Sequence, residues 1–427
     1  MTALAESGPS LSATSEKELS SVGRLAIRAA VTSTLFLTQI AYNIGDFPVT
    51  MEFVSYAALV VYMLISGHAT VSVPTIFLYI ATVTCALAAM KLTVLPASSS
   101  SLLLLFALYA PFSFRLRAGP DLKAVHEAIQ GTFVSATTVI AIIAIAQFAI
   151  VNALKVNALT NIYFILPEAI RGGGTYTFLR EGGSLVKANG FFLRESADLS
   201  LMTALALLIE ISTRARFVII GALAAALLCS FSGSGMLALM LGLVLPRTVG
   251  RLPLFVASAT TLILVMLMLY YADIPGINNL FFDRLAEINQ PGTSGYARYV
   301  APKAMVDLNL HNGGIGMWLG NGGGSYLRST MLLRVKYEIA DPTWAKLTFE
   351  YGLLGLALLG SIFAIRVYSS ALDVRICNYI LFVWVVNSAV LKIQYVLVFW
   401  LLTLVPKIPA RRNGFGSSAP PSTRNSQ

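Results

Sequence analysis

The sequence predicts an all-α, polytopic integral membrane protein, and three observations carry that expectation. Of the 427 residues, 56% are hydrophobic and only 12% are charged, whereas a soluble domain has roughly half its residues apolar and about a quarter charged. Mean hydropathy is +0.75. Apolar runs close to the ~20 residues that a helix needs to cross a hydrocarbon core recur along the chain. So little polar surface cannot cover a water-facing globule, which excludes a soluble enzyme, a disordered polypeptide and a secreted disulfide scaffold.

The net charge of +10, from 30 Lys and Arg against 20 Asp and Glu, reads as an orientation signal. No basic stripe with interleaved aromatics occurs, so no nucleic-acid partner is expected. Cys85, Cys229 and Cys377 lie far apart inside apolar runs, none with a second Cys or a His at ligand spacing. Neither a disulfide nor a metal site is expected, and no cofactor.

Residues 1–23 are rich in Ser, Thr, Ala and Glu without apolar periodicity, and 409–427 are equally poor in core-forming residues; both are expected to be disordered tails. Between them, 24–408 form the membrane domain. Its first apolar run follows Arg24 and Arg28 without a small-residue cleavage signature, so it is expected to be a retained helix. Spans are expected near 27–46, 51–67, 72–90, 97–114, 130–151, 195–212, 216–230, 234–246, 252–272, 345–365, 375–390 and 393–408. The stretch 217–246 is too long for one span and short for two at about 1.5 Å per residue, and it is divided at Ser232-Gly233-Ser234-Gly235.

With the N-terminus inside, the loops holding Arg115, Arg117 and Lys123, then Arg214 and Arg216, Arg247 and Arg251, Arg366 and Arg375, and finally Arg411 and Arg412 all fall inside. That is the positive-inside pattern. It gives about twelve spans with both termini cytoplasmic. Lys91 and Lys392 are the exceptions, each at a helix end from which it could snorkel to the interface. Two long polar segments, 153–194 and 273–344, then share the far side, and long aperiodic connections are where function concentrates.

The first of these loops carries five basic residues (Lys155, Arg171, Arg180, Lys187, Arg194) against two acidic ones, an excess on the side where positive charge is disfavoured. An anionic ligand explains it; side chains resting on lipid phosphates explain it too. The second carries Tyr296-Ala297-Arg298-Tyr299, then His311-Asn312-Gly313-Gly314-Ile315-Gly316, then Gly320-Asn321-Gly322-Gly323-Gly324-Ser325, followed by Arg328, Arg334 and Lys336. Glycine-dense backbone can cup an anion with its amides, and guanidinium forks suit phosphate oxygens. Arg298, Arg194, Lys187, Arg180, Arg328, Gly314, Gly316, Gly322 and Gly323 are therefore the expected diphosphate cradle. No Lys-Ser or Lys-Thr pair follows the glycines, so this is not a Walker A loop.

Glu195, Asp198, Asp341 and Glu350 lie near the outer ends of spans, where desolvation would raise a carboxylate toward the range useful for proton transfer. Their bland alternative is helix N-terminal charge on the dipole. Glu210, four residues before Arg214, reads as an ordinary ion pair.

Three segments resemble the O-antigen ligase and polymerase (Wzy-like) family of bacterial surface-polysaccharide enzymes. Lys187 to Ser196 (KANGFFLRES) is similar to the family's basic residue, Gly-Phe-Phe and Glu entry to a helix. Phe231-Ser232-Gly233-Ser234 resembles its Ser-x-Ser-Arg turn, with Gly235 where the family has Arg. Arg298 through the glycines to Phe349-Glu350-Tyr351-Gly352-Leu353-Leu354-Gly355 resembles its outer Arg, Gly-rich loop and closing Glu-x-Gly-(Ile/Leu)-x-Gly helix. The likeness covers about 190–360. The ligase branch has a His-Asn pair where this chain has Asp341-Pro342-Thr343-Trp344, which tilts the resemblance to polymerase.

The resemblance implies a GT-C-like, metal-independent glycosyltransferase in the bacterial inner membrane. Its substrate would be an undecaprenyl-diphosphate-linked oligosaccharide and its product an exopolysaccharide or O-antigen, with a chain-length regulator and a flippase as partners beside the lipid bilayer. Arg298 would stabilise the diphosphate leaving group, and Glu195, with Asp341 second, would take the acceptor proton. Ligase is the alternative within the family. A flippase or transporter is the alternative outside it, predicting ionisable groups deep in the spans, where the sequence shows mainly Gln147, Asn378 and Asn387.

Overall fold

The computed structural model describes residues 21–407, apart from 45, 46, 94, 118, 120, 156–158, 173–184, all but a few positions of 246–288, 312 and 333–336. Most of the expected tails and of the 252–272 span, with Arg180, Arg334 and Lys336, lie outside the described residues, while residues 21–23 of the expected first tail belong to a helix. What is described is mainly helical. Four helices are long and apolar enough to cross a membrane: α3 (Val73–Leu92), α5 (Leu122–Leu154), α6 (Ser196–Thr213) and α13 (Thr343–Tyr368). Those helices associate the protein with membranes.

Shorter helices complete the bundle. These are α1 (Ser21–Phe36), α2 (Met51–Ile65), α4 (Ser99–Tyr109), α7 (Phe217–Cys229), α8 (Gly233–Val244), α14 (Val374–Val386) and α15 (Ile393–Leu402). Four further short helices carry much of the second polar segment: α9 (Ser294–Tyr299), α10 (Ala301–His311), α11 (Gly314–Leu319) and α12 (Ser325–Leu332). The expected first span is corrected. Helix α1 stops at Phe36, and the chain then forms a hairpin of β1 (Ala41–Ile44) and β2 (Phe47–Thr50), with Ala41 opposite Thr50. A second strand pair, β3 (Ala69–Val71) and β4 (Phe114–Leu116), sets Ala69 opposite Leu116.

Two helices are buried all round, as a helix apolar on every face must be. In α6 every residue from Ser196 to Glu210 is buried, and in α15 every residue from Gln394 to Leu402. These central helices begin at the same end of the bundle, where Glu195 and Lys392 meet. The 18 residues of α6 span about 27 Å. At its far end, Arg115 donates to the Ser369 hydroxyl (2.7 Å) and Arg216 pairs with Glu210. Glu210 therefore takes Arg216, through two guanidinium nitrogens and its backbone amide, as its hydrogen-bonded partner, rather than the i+4 neighbour Arg214.

The break expected inside 217–246 is present. Helix α7 rises from Arg216, and the turn after it carries Phe231 in the left-handed region (φ 44°). Helix α8 begins beside Ser200 and returns until Gly242 lies against Leu208 and the Arg375 carbonyl. At 13 and 12 residues, the two arms are about 20 and 18 Å long. Their antiparallel course returns the chain to the end from which α7 started.

Candidate functional site

The stretch 187–195 is shaped by buried amide chemistry. Gln147, on α5, donates to the Asn189 side chain (2.9 Å) and accepts from the Asn189 and Gly190 amides (3.1 and 3.0 Å). The chain then turns through two left-handed residues, Gly190 (φ 73°) and Phe191 (φ 66°). A non-glycine residue held there is strain kept up by its surroundings. Gln39 donates to the Leu193 carbonyl and Thr38 to that of Phe192 (2.7 and 2.8 Å), and the Phe36 and Phe192 rings pack edge to face. Anchored in this way, the loop delivers Arg194 and Glu195 to the start of α6.

Glu195 occupies the N-cap position but makes no capping hydrogen bond. Its carboxylate instead meets the Lys392 ammonium at 2.6 Å. Lys392 also meets Asp198 at 2.7 Å, and the Tyr395 hydroxyl donates to the same Asp198 oxygen at 2.6 Å. Asp198 is fully buried, while Lys392 and Glu195 are a quarter and a third exposed. Lys392 is thus no snorkelling exception; it is the hub of a two-carboxylate, one-ammonium cluster. It sits at the start of α15, and its loop is held because Thr343 donates twice to the Asn387 carbonyl and accepts from the Val390 amide.

Arg298, on α9, faces the same place, and a cavity of about 50 Å³ lies between them. Glu195, Arg298, Lys392, Tyr395, Ala340 and Pro342 line it. Arg298 donates to the Ser234 hydroxyl at 2.9 Å, which joins the second and third segments of the family resemblance. Burial alone would raise Glu195. The Lys392 ammonium, with Arg298 and Arg194 behind it, outweighs burial and holds the carboxyl below its ordinary value. This reverses the expected rise. Burial likewise disfavours the charged Lys392, yet Asp198 and Glu195 hold its pKa above the usual amine value.

The other expected site residues fall elsewhere. Arg194 donates twice to the Thr38 carbonyl (3.2 and 3.0 Å) and acts on Glu195 by its charge. Asp341 pairs with Lys346 at 2.7 Å, outside the cavity lining. Lys187 and Arg328 do not line the cavity, nor do Gly314, Gly316, Gly322 and Gly323. The glycine loop is spent on the protein itself. The Asn321 and Gly322 amides donate to the Phe349 and Glu350 carbonyls (2.9 and 2.8 Å), and the Gly323 amide meets the Met90 sulfur. The Gly324 and Tyr326 amides point at the buried Glu350 carboxylate. An anion cup is present there, and a glutamate of the same chain fills it.

The Glu350-Tyr351-Gly352 element explains this fit. Gly352 breaks α13 with φ 67° and ψ −174°. A Cβ on Gly352 would strike the Trp318 carbonyl, and one on Gly320 would strike the Glu350–Tyr351 peptide. The two backbones touch, so the motif seats the 313–325 segment on the helix. Gly235 has a comparable reason. Its amide donates to the Ser200 hydroxyl (3.0 Å), and a Cβ would collide with that hydroxyl and with the Ser200 carbonyl. No arginine fits there; Arg298 reaches the neighbouring Ser234 instead. Gly235→Ala is expected to destabilise by about 1–3 kcal/mol through overpacking. A thermal midpoint unchanged from the parent protein would contradict this packing.

Sequence reasoning missed Lys392 as a site residue, and with it Tyr395 and Glu52. The signal for Lys392 was present, because it was one of two cations the charge pattern could not place. Glu52, at the start of α2, is 1% exposed; one carboxylate oxygen lies 3.5 Å from Thr50 and the other has no partner among the described residues. It feels the charges of Arg194 and Asp198. His311 is exposed, with Nδ1 on the Asp307 carbonyl, as a solvated loop histidine would be. No protein-family model matches the chain, and no curated protein matches it.

Proposed function

We propose that the protein is a polysaccharide polymerase, a glycosyltransferase that joins lipid-diphosphate-linked oligosaccharide repeat units at the outer face of a bacterial inner membrane. The observation that carries this reading is the cleft at the start of α6, where an ionised Glu195 stands beside Arg298 and Lys392. Departure of a diphosphate develops negative charge, and preorganised cations in a desolvated cleft stabilise it without reorganisation. Arg298 supplies a planar fork for phosphate oxygens. Glu195 accepts the hydrogen bond of the incoming sugar hydroxyl and takes its proton as the glycosidic bond forms. Held low by Lys392, it is a weak base, so most of the rate enhancement is assigned to the cations.

In the proposed topology, about twelve spans with both termini inside, this cleft faces outside. The cations Arg115, Lys123, Arg214 and Arg216 at the opposite end of α6 support that orientation. The return of α8 to the end where α7 began supports it too.

A second reading, transport of a lipid-linked glycan, gains from one observation. Asp198, Glu350 and Arg366 are 0% exposed, and Glu52 and Lys346 nearly so, more ionisable burial within helices than the sequence showed. Buried ionisable groups are a transporter's hallmark.

One experiment separates the readings. Purified protein in liposomes is mixed with lipid-diphosphate-linked repeat units, and product size is followed on a gel. A ladder of longer lipid-linked glycans is the expected result. Transfer to a lipid A core acceptor without elongation means ligase, and no new glycosidic bond with either acceptor abandons the glycosyltransferase reading.

A further inference from the structure

A second cavity in the described structure is larger than the Glu195 cleft. It has a volume of about 490 Å³ and lies at the other end of α6, between the first turns of α5, the last turn of α6 and the start of α14. Its acids are already answered. Glu210 is held by two guanidinium nitrogens of Arg216, Glu127 lies 3.9 Å from Lys123, and Asp373 accepts the Arg375 amide.

Its donors are not answered. Gln130 is only 7% exposed and lines this cavity; its side-chain amide makes no hydrogen bond among the described residues. His126 Nδ1 and the Ser212 hydroxyl are buried without partners among them. The exposed Arg214 guanidinium makes no hydrogen bond among the described residues, and its charge acts on Glu210. It stands over Gly131, 3.5 Å from where a Cβ would sit. The three unpartnered donors and the Arg214 guanidinium therefore line one space, in which Lys123, Arg214 and Arg216 stand against Glu127, Glu210 and Asp373. Buried polar groups without partners are costly unless something fills the space between them. The volume falls within the range of small-ligand sites.

We propose that this cavity binds a phosphate group, carried either by an anionic lipid headgroup or by a free phosphate compound. Arg214 offers its fork to the phosphate oxygens, and Gln130, His126 and Ser212 complete the donor set. Phe217 and Val218, which follow the lining residue Arg216 in the chain, are 87% and 86% exposed and offer acyl chains an apolar surface.

The test uses the purified full chain in a neutral detergent, with its thermal midpoint followed against inorganic diphosphate in one series and short-chain phosphatidylglycerol in another. Saturable stabilisation is expected. Arg214→Ala is expected to weaken it at least about tenfold, as for loss of a charge-assisted contact. Gln130→Leu, which keeps the volume but removes the donor, should weaken it in the same direction should Arg214→Ala fold poorly. Stabilisation by the lipid alone identifies a headgroup site, by diphosphate alone a site for a soluble compound, and by both a site that reads the phosphate itself. No stabilisation by either probe, or stabilisation unaltered in both variants, overturns the proposal.

Discussion

Replacing Lys392 with Met is expected to destabilise the protein by about 3–5 kcal/mol, the usual consequence of removing one partner from a buried ion pair. The reason is local. Lys392 is the hydrogen-bonded cation of both Glu195 and the fully buried Asp198, and methionine keeps its length without its charge. The pH dependence should invert as well. In the parent protein Glu195 is held below its ordinary value, so its contribution is present above the ordinary carboxylate range and lost as pH falls through the lowered one. Lys392 is held above its ordinary value, so its contribution is complete below the ordinary amine range and lost as pH rises through the raised one. Stability from the pair is therefore flat across neutrality.

Without Lys392, burial of Glu195 is opposed only by the charges of Arg298 and Arg194, and its pKa is expected to rise. Stability is then favoured in acid and falls as pH rises through the new value. Thermal midpoints of the parent and variant proteins, measured between about pH 4 and about pH 8, check the inversion. A variant that loses stability equally at both ends would show that the cluster is not coupled as described. Lys392→Arg, which retains the cation, should lie close to the parent.

Replacing Arg298 with Ala is expected to slow glycan elongation by about 10²–10³-fold, the scale on which one preorganised donor to a developing oxyanion acts. Little stability should be lost, because Arg298 is only partly buried and makes one side-chain hydrogen bond, to Ser234. Ser234→Ala tests whether that bond aims the guanidinium. It should leave Arg298 present but poorly oriented, with a smaller loss on the order of tenfold. Arg298→Lys should recover part of the rate, since it restores charge without the fork. Elongation that proceeds normally in Arg298→Ala would remove the role proposed for this residue, whatever the stability of the variant.

Much of the fold was legible because hydropathy and span length are properties of short stretches of chain. The helices Met51–Ile65, Val73–Leu92, Ser196–Thr213 and Thr343–Tyr368 begin within a few residues of where apolar runs begin. The division at Ser232–Gly235 was also legible, from small residues inside a run of the wrong length. The hairpin at 41–50 was not. The apolar run from residue 27 continues through Ala41, Tyr42 and Ile44, and only the pairing of Ala41 with Thr50 and the bridge from Ile40 to Arg171 show that these residues leave the helix.

Of the candidate site, Glu195 and Arg298 were reachable from local motifs, and both line the cleft. The role of the glycines was not reachable. An amide-rich loop reads alike whether its cup awaits a ligand or holds a carboxylate of its own chain, and only the approach of Glu350 decides between them.

The sequence by itself determined that this is a helical membrane chain with cations grouped by loop, because burial in lipid selects composition and charge segregation residue by residue. Tertiary structure alone decided the chemistry at the cleft. Lys392 is 197 residues from Glu195 along the chain and 2.6 Å from it in space. Whether a carboxylate is raised by burial or lowered by a cation depends on that distance, which no local pattern encodes.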